Sequence, residues 1–189
     1  MTLAARLVRD VTATEVPAAE RPTPAHPLQL YLHDFSEYAP LESPYGEVGE
    51  EGLFPCAWLE SYWQEAGRVA LLIRADGRIA GFVLLNRWSA LDRPLDRAVA
   101  EFFVLRKYRR ARVGTRVAHI VFRRYPGRWE VPVAEYNRPA LAFWRSAVGS
   151  LGVGRIEEQP GNGQRWSGTV LSFDNRPASA ERQQLEERR

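Results

Sequence analysis

The sequence predicts a mixed α/β fold, and three observations support this prediction. Short apolar runs typical of buried strands alternate with segments whose apolar residues recur at helical spacing. Asp76-Gly77 separates two apolar runs, 69–74 and 79–85, and this pair favours a hairpin because glycine tolerates the positive φ of the turn. Over 101–125 a strand pattern, a tight basic turn and a helix pattern follow one another directly. We therefore expect a twisted, mostly antiparallel sheet of six or seven strands, with about four helices on both faces.

The N-terminal half contains two aromatic helix patterns between strands. Apolar residues of 28–38 and 58–66 recur at helical spacing, and Pro40 and Gly67 are good stops for these helices. The remaining expected elements are a first strand within 1–14, an extended proline-rich connector over 17–27 and a loop over 40–55. The two helices bracket an acidic loop, so they either form one wall of a substrate cleft or simply pack into the core.

The C-terminal half continues the alternation of strands and helices. A strand with a largely buried pattern covers 102–105 after a loop over 86–96. The following elements are a helix over 114–125, a strand containing Val131 and Val133, a helix over 140–148, and a hairpin with arms at 155–159 and 165–173. Residues 175–189 are polar and highly charged, which is typical of a frayed or disordered tail. We expect one domain over 1–174.

Composition excludes several classes of protein. The chain has 189 residues, of which 45% are hydrophobic and 11% aromatic, so general disorder is excluded. No apolar run reaches the roughly 18 residues that span a bilayer, and the N-terminus lacks a signal-peptide pattern, so we expect a cytoplasmic protein without membrane contact. The single Cys56 is expected to be a buried, inert thiol. His26, His33 and His119 lack metal-ligand spacing, so no metal is expected.

The charges of the chain are segregated. Residues 34–66 contain eight acidic side chains and no Lys or Arg, whereas 102–129 contain nine basic side chains and no acid. The basic segment could attract an anionic cofactor and the acidic segment a cationic substrate. The alternative is that both segments are ordinary solvated faces, and the sequence does not decide between these interpretations.

The basic turn after the strand at 102–105 has the properties of an anion site. A strand, a tight turn and a helix in this order bring free backbone N–H groups and the positive end of a helix to one place. The segment Arg109 to Gly114 resembles the Gln/Arg-x-x-Gly-x-Gly/Ala pyrophosphate loop of the GNAT N-acetyltransferase superfamily, with Arg112 at the position where that family usually has its first glycine.

A second block strengthens this resemblance. Trp129 to Val133, followed by Asn137 to Ala140 and Phe143-Trp144, is similar to the superfamily's next strand and its Asn-x-x-Ala-x-x-x-Tyr helix, with Trp144 in the place of the tyrosine. The resemblance implies a single GNAT-type domain that binds acetyl-CoA beside a splayed central pair of parallel strands. The residues that it places at the cofactor are Phe103, Val104, Arg106, Arg109, Arg110, Ala111, Arg112, Val113, Gly114, Thr115, Asn137, Phe143 and Trp144.

The resemblance also implies the activity, which is acetyl transfer to a primary amine by direct attack in a ternary complex. Glu101 stands near the position of the superfamily's base, but an exposed or structurally paired carboxylate is an equal alternative. The backbone N–H of Val104 is expected to meet the thioester oxygen. Glu130 and Glu135 are second choices for the base, and strand alternation favours solvent for Glu130.

The proton donor is the clearest departure from the family. An indole donates hydrogen bonds but does not supply a proton at neutral pH, so Trp144 cannot replace the tyrosine. Tyr136 or Tyr108 could take this role, or the thiolate could leave unassisted, and Trp144 could pack against the pantetheine arm. Asn137 could contact the cofactor or could be an ordinary helix N-cap.

The sequence is compatible with three functions. The first is an N-acetyltransferase acting on a small-molecule or peptide amine that could be cationic, working as a monomer or homodimer without nucleic acid. The second is an acyl-CoA-binding sensor without efficient turnover. The third is a nucleic-acid-binding module that uses the basic face from Arg106 to Arg124, against which the net charge of only +3 and the acidic half argue.

Overall fold

The computed structural model describes residues 7–20, 22–41 and 46–177. Within these residues the chain forms seven strands: β1 Val11–Glu15, β2 Val69–Ala75, β3 Arg78–Asn86, β4 Arg97–Val104, β5 Arg128–Ala134, β6 Ile156–Pro160 and β7 Gly168–Asp174. The α-helices of the same residues are α1 Pro22–Ser36, α2 Ser61–Gln64, α3 Val113–Arg124 and α4 Arg138–Gly149. Short 3-10 turns cover Ala18–Glu20, Ala57–Glu60 and Arg106–Tyr108.

The strands form one sheet in the order β1-β2-β3-β4-β5-β7-β6. The pairs β1–β2, β2–β3, β5–β7 and β6–β7 are antiparallel. The pair β4–β5 is parallel, with Arg97 opposite Trp129 and Ala98 opposite Glu130. The predicted α/β fold, with a mostly antiparallel sheet and one central parallel pair, is confirmed.

The predicted hairpin between β2 and β3 is confirmed in its turn geometry. Asp76 has φ 49° and Gly77 has φ 74°, and two successive positive φ values match the twist of the flanking strands. The Asp76 carboxylate also accepts hydrogen bonds from the backbone N–H groups of Arg9 and Asp10, both at 3.0 Å. The turn therefore connects β2 to β3 and also holds the segment that leads into β1.

The predicted extended connector over 17–27 is wrong, because α1 begins at Pro22. The first N–H groups of a helix have no intrahelical acceptor, so prolines at its start cost no hydrogen bond. Pro27 lies deeper in the helix and lacks the donor for one bond. The predicted second helix over 58–66 is also shorter than expected, since a 3-10 turn over Ala57–Glu60 precedes the single-turn α2.

The chain divides into two compact units, of which the first comprises 1–86 and 100–117. The described part of this unit has an aromatic core in which Phe82 and Phe103 lie 5.7 Å apart between ring centroids. Buried members of this core are Leu28, Leu59, Tyr62, Ala70, Phe82, Leu84 and Phe103. Both aromatic helices that the sequence predicted contribute to it, as does β4.

The second unit comprises 87–99 and 118–189, and its described part has a core built on Trp129. The Trp129 ring lies parallel to Phe173 and edge-on to Phe122. The expectation that Glu130 faces solvent is wrong, because this side chain is only 1% exposed. The loop before β4 covers that face of β5 and supplies donors to Glu130 from Ser89 Oγ, Ala90 N and Arg93 Nε.

The predicted tail over 175–189 lies mostly outside the described residues. Its first residues are hydrogen-bonded: the Asn175 side chain accepts from Gly127 N and donates to Phe122 O, and Arg176 pairs with Asp174. Residues 178–189 are not described. The boundary of the predicted domain at 174 stays a prediction.

Candidate active site

The turn between β4 and α3 has an unusual backbone. After the 3-10 turn over Arg106–Tyr108, Arg109 is extended, with φ −64° and ψ 151°. Arg110 and Arg112 then adopt left-handed φ values of 63° and 57°, and α3 begins at Val113. Left-handed residues that alternate with right-handed ones turn successive N–H groups towards one side and form a concave site for anions.

The amides of this turn are available. Among the described residues, the backbone N–H groups of 110–115 donate to no protein acceptor, while those of Tyr108 and Arg109 bond back to Leu105 and Arg106. The first regular bond of α3 is Arg116 N to Arg112 O, at 3.1 Å. A run of six such amides at the positive end of a 12-residue helix can donate hydrogen bonds to an anion.

The arginines of the turn fall into two groups. Arg106 and Arg109 both donate to the Asp34 carboxylate of α1, at 2.7 and 2.9 Å. Arg109 is held further by its Nε donating to Val104 O at 2.9 Å, and its guanidinium lies 5.7 Å from the Phe103 ring centre. Arg110 and Arg112 are exposed. All four arginines are exposed, but Arg106 and Arg109 are tied to α1 by Asp34.

Asp34 is a charged anchor between α1 and this turn. Burial by itself would raise the pKa of Asp34, but hydrogen bonds and charge from Arg106 and Arg109 outweigh it and hold the pKa below its ordinary value. The carboxylate is therefore ionised at neutral pH and offsets part of the positive charge of the turn. Arg116 is also engaged, since it donates to Val8 O and Arg9 O. These contacts reduce the basic face that a nucleic-acid-binding module would need.

Glu101 lies in β4, and its side chain is half-buried rather than solvated. Its carboxylate accepts a hydrogen bond from Tyr31 Oη of α1. Burial raises the pKa of Glu101 to about 7, although the Tyr31 hydrogen bond acts to lower it. A carboxyl group that titrates near neutrality is suited to accept a proton from a reacting amine.

A second tyrosine lies near Glu101. Tyr62 of α2 is 5% exposed, and burial together with the negative charge of Glu101 raises its pKa to about 12. The Arg68 guanidinium lies 5.2 Å from the Tyr62 ring centre and opposes this rise. Sequence reasoning assigned Tyr31 and Tyr62 only to aromatic helices, because no local pattern links them to Glu101.

The strand residues predicted at the cofactor are mainly core residues. Phe103 and Val104 are 5% and 8% exposed, and the Phe103 ring packs edge-on against Tyr31. Their side chains are thus committed to packing, so a cofactor alongside β4 would meet backbone atoms. The role of the Val104 N–H as a donor to a thioester oxygen stays a prediction.

The residues predicted on and before α4 lie in the second unit. The Asn137 side chain accepts from Ala140 N at 3.1 Å, which is the ordinary N-cap geometry. Trp144 is buried, with its ring centre 4.8 Å from Phe143 and 6.1 Å from Phe122. Tyr136 is 48% exposed. The predicted cofactor contacts of Asn137, Phe143 and Trp144 and the acid role of Tyr136 stay predictions.

Two further findings concern other classes of site. Within 7–20, 22–41 and 46–177, no three His, Cys, Asp or Glu side chains are grouped so that they could hold a metal ion. Among the described helices, none combines the length and apolarity that crossing a bilayer would require.

Comparison with known families finds a match in sequence pattern over most of the chain. A model of the acetyltransferase (GNAT) family matches residues 29–149. This range contains Tyr31, Asp34, Glu101, the turn and α4. A search of curated proteins finds no match to the chain.

Comparison with solved structures gives similar folds at low sequence identity. An acetyltransferase from Thermus thermophilus has a TM-score of 0.58 at 15% identity, with 89% of this chain and 97% of that chain covered. An acetyltransferase from Streptococcus agalactiae has a TM-score of 0.54 at 14% identity, with 87% and 98% covered. The GNAT domain of S. lividans PAT has a TM-score of 0.52 at 17% identity, with 87% and 90% covered.

Proposed function

The chain belongs to the acetyltransferase (GNAT) family, and on this premise we propose that it transfers an acetyl group from acetyl-CoA to a primary amine. The observation that carries the proposal is the turn before α3. Its six unengaged amides and its two left-handed arginines form a seat for a diphosphate next to the strand that bears a carboxyl group titrating near neutrality.

The cofactor would be held mainly by backbone atoms of this turn. The N–H groups of 110–115 would donate to the diphosphate, and the exposed Arg110 and Arg112 would add charge-assisted hydrogen bonds. Arg106 and Arg109 each keep N–H donors beyond those given to Asp34, so they add charge from a fixed position. Acetyl-CoA would supply a thioester whose carbonyl carbon is attacked by the amine. As the amide forms, the carbon–sulfur bond would break, and coenzyme A would leave as a thiolate that takes up a proton.

Glu101 is the residue that we propose as the general base. Its carboxylate would accept the proton that the acceptor amine loses on attack, directly or through one water. A base with a pKa of about 7 is half ionised at neutral pH, which suits both taking up and releasing the proton. We propose that the Val104 N–H, further along β4, donates to the oxygen on which negative charge develops.

We further propose that the acceptor amine carries a positive charge. Eight acidic residues between 34 and 66 motivate it, and one of them, Asp34, is already committed to Arg106 and Arg109. Glu65 is paired with Arg68 at 2.7 Å. Glu37, Glu47 and Glu50 are exposed and could attract a positively charged amine.

A second candidate function is acetyl-CoA binding without efficient turnover. The observation that favours it is Trp144, which stands in the place of the family's tyrosine, is buried, and cannot supply a proton. Such a protein would respond to acetyl-CoA but would release no thiol when amines are added.

The test combines two measurements on the full chain. Acetyl-CoA should raise the melting temperature, and a panel of small and peptide amines should include at least one that releases free thiol from acetyl-CoA. Glu101→Gln should lower turnover by about 100-fold or more and leave the thermal shift unchanged. A thermal shift without thiol release from any amine would favour the sensor, and neither response would overturn both candidates.

A further inference from the structure

The Tyr31 ring is packed among aromatic neighbours, and this packing holds its hydroxyl in place. The ring centre lies 4.5 Å from that of Phe35, 5.7 Å from that of Phe82 and 5.8 Å from that of Phe103. These contacts come from α1, β3 and β4. Because neighbouring rings from three elements contact it, the ring has little freedom, and the hydroxyl stays directed at the Glu101 carboxylate, to which it donates.

The groups around Glu101 explain why this hydrogen bond matters. Tyr62 of α2 interacts with Glu101 through charge, but a buried phenol whose pKa is raised to about 12 is neutral at physiological pH. Three residues beyond Tyr31, the Asp34 carboxylate is paired with Arg106 and Arg109. Tyr31 is thus the neighbour whose hydrogen bond directly favours the ionised form of the Glu101 carboxyl group and lowers its pKa.

We infer that Tyr31 is a positioning residue for Glu101: its hydroxyl fixes the orientation of the carboxylate and keeps one of its oxygens occupied, so that the other oxygen faces the acceptor amine. The inference rests on the proposed function, in which Glu101 is the general base. It adds a residue of α1 to the catalytic machinery, which the sequence resemblance did not identify.

Loss of the Tyr31 hydroxyl should change the Glu101 pKa in one direction only. The hydrogen bond stabilises the carboxylate, so its removal should raise the Glu101 pKa above about 7, by about one unit. At pH 7 the ionised fraction would then fall from about one half to about one tenth, which corresponds to about a fivefold loss of kcat/KM for the amine. Cofactor binding should not change, because the turn over 106–115 is untouched.

The first experiment measures the carboxyl group itself and needs no acceptor. The full chain is labelled with carboxyl-¹³C glutamate and titrated by NMR as wild type and as Tyr31→Phe. Glu101→Gln identifies the Glu101 resonance by its loss. Tyr38→Phe is the matched control, because it removes a hydroxyl from an exposed tyrosine two residues after the end of α1. Only Tyr31→Phe should move the Glu101 titration upward.

The second experiment is the pH profile of acetyl transfer with the amine that releases the most thiol. Tyr31→Phe should shift the acidic limb of kcat/KM upward by the same amount as the NMR titration, with the KM for acetyl-CoA unchanged. At a pH well above the shifted value, activity should return to within about twofold of wild type, which a damaged fold would not allow.

The outcomes separate this inference from the proposed function. An unchanged Glu101 titration in Tyr31→Phe, or an equal shift in Tyr38→Phe, would overturn the role of Tyr31. A shifted titration with no thiol release from any amine would support the hydrogen-bond inference and overturn the proposed activity.

Discussion

Arg112 occupies a backbone position that the family usually gives to glycine. Its φ of 57° is left-handed, which costs an ordinary L-residue about 1–2 kcal/mol. Glycine reaches this conformation without such a cost, so Arg112 adopts a backbone shape that glycine also favours. The left-handed conformation of Arg112 is therefore kept at a modest cost in stability.

A pair of substitutions at Arg112 separates backbone shape from charge. Arg112→Gly keeps the left-handed conformation, so the dissociation constant of acetyl-CoA should stay within about threefold of wild type. Arg112→Val places a β-branched residue in that conformation and should weaken binding by about tenfold or more. Calorimetric titration with acetyl-CoA gives both constants. Equal weakening by both variants would mean that the charge of Arg112, and not the turn, carries the binding.

Glu101 links activity to stability. Burial raises the pKa of Glu101 from 4.5 to about 7. Between these pH values the folded state therefore holds a proton that the unfolded state has released. This contribution to stability is fully present below about pH 4.5 and is lost as the pH rises through about 7.

Glu101→Gln should therefore stabilise the protein under alkaline conditions while reducing activity. Relative to wild type, the free energy of unfolding should rise by about 2 kcal/mol more at pH 8 than at pH 5. Urea denaturation at the two pH values measures this difference. A stability difference that does not depend on pH would show that Glu101 titrates normally in the folded state.

At the scale of elements, β3 and β4 are in unusually close backbone contact. A Cβ added at Gly81 would lie 1.9 Å from Phe103 O, and the φ of this glycine is +155°. Leu105 N also donates to Ala80 O at 2.8 Å, so the two strands are joined just before the turn. The position of the turn relative to β3 therefore depends on residue 81 being a glycine, which has no Cβ.

Gly81→Ala should force the strands apart and cost at least about 2 kcal/mol of unfolding free energy. Acetyl-CoA affinity should fall as well, since β4 leads directly into the turn. Gly149→Ala is the control, because no atom lies within 4 Å of an added Cβ there. Denaturation of both variants is the measurement, and a Gly81→Ala variant as stable as the control would contradict the close contact.

The pairing of Asp34 with Arg106 and Arg109 connects α1 to the turn whose amides, 110–115, form the proposed anion site. Asp34→Asn leaves Arg109 held by Val104 O and by the Phe103 ring, but removes a negative charge from the turn. Acetyl-CoA should therefore bind about threefold more tightly at low salt, and the gain should fade as salt is added.

Asp92→Asn makes the same charge change at an exposed aspartate paired with Arg165 and should not alter affinity. Binding isotherms at several salt concentrations compare the two variants. Weaker binding by Asp34→Asn would mean that Asp34 orients the arginines for the cofactor and does not compete with it.

At the scale of the whole molecule, acidic and basic side chains are concentrated in different segments, although the net charge is only +3. If the acidic segment over 34–66 steers the acceptor, cationic amines should react faster than neutral amines of similar size. The preference should shrink about severalfold between low and high salt, because screening weakens long-range attraction. Thiol release over a matched series of amines measures this, and a ratio that is independent of salt would remove the basis for a cationic acceptor.

Much of the fold was accessible from local patterns. The Asp76-Gly77 turn and the strand–turn–helix over 101–125 are set by residues next to one another, and the structure has both where the patterns indicated. The Asn137 cap, one of two alternatives that the sequence left open, also depends on neighbouring residues. The extended connector predicted over 17–27 is wrong because prolines also suit a helix start, an ambiguity that local sequence does not resolve.

The sequence by itself determined the order of strands and helices, the family and the turn at which we propose an anion site, because turn chemistry and apolar periodicity act over a few neighbouring residues. Only the tertiary structure decided the surroundings of the proposed catalytic carboxyl group. Tyr31 meets Glu101 across 70 residues, Asp34 meets Arg106 across 72, and Glu130 is buried by a loop 40 residues before it. Burial and charge pairing of this kind arise from the packing of distant segments, which no local pattern specifies.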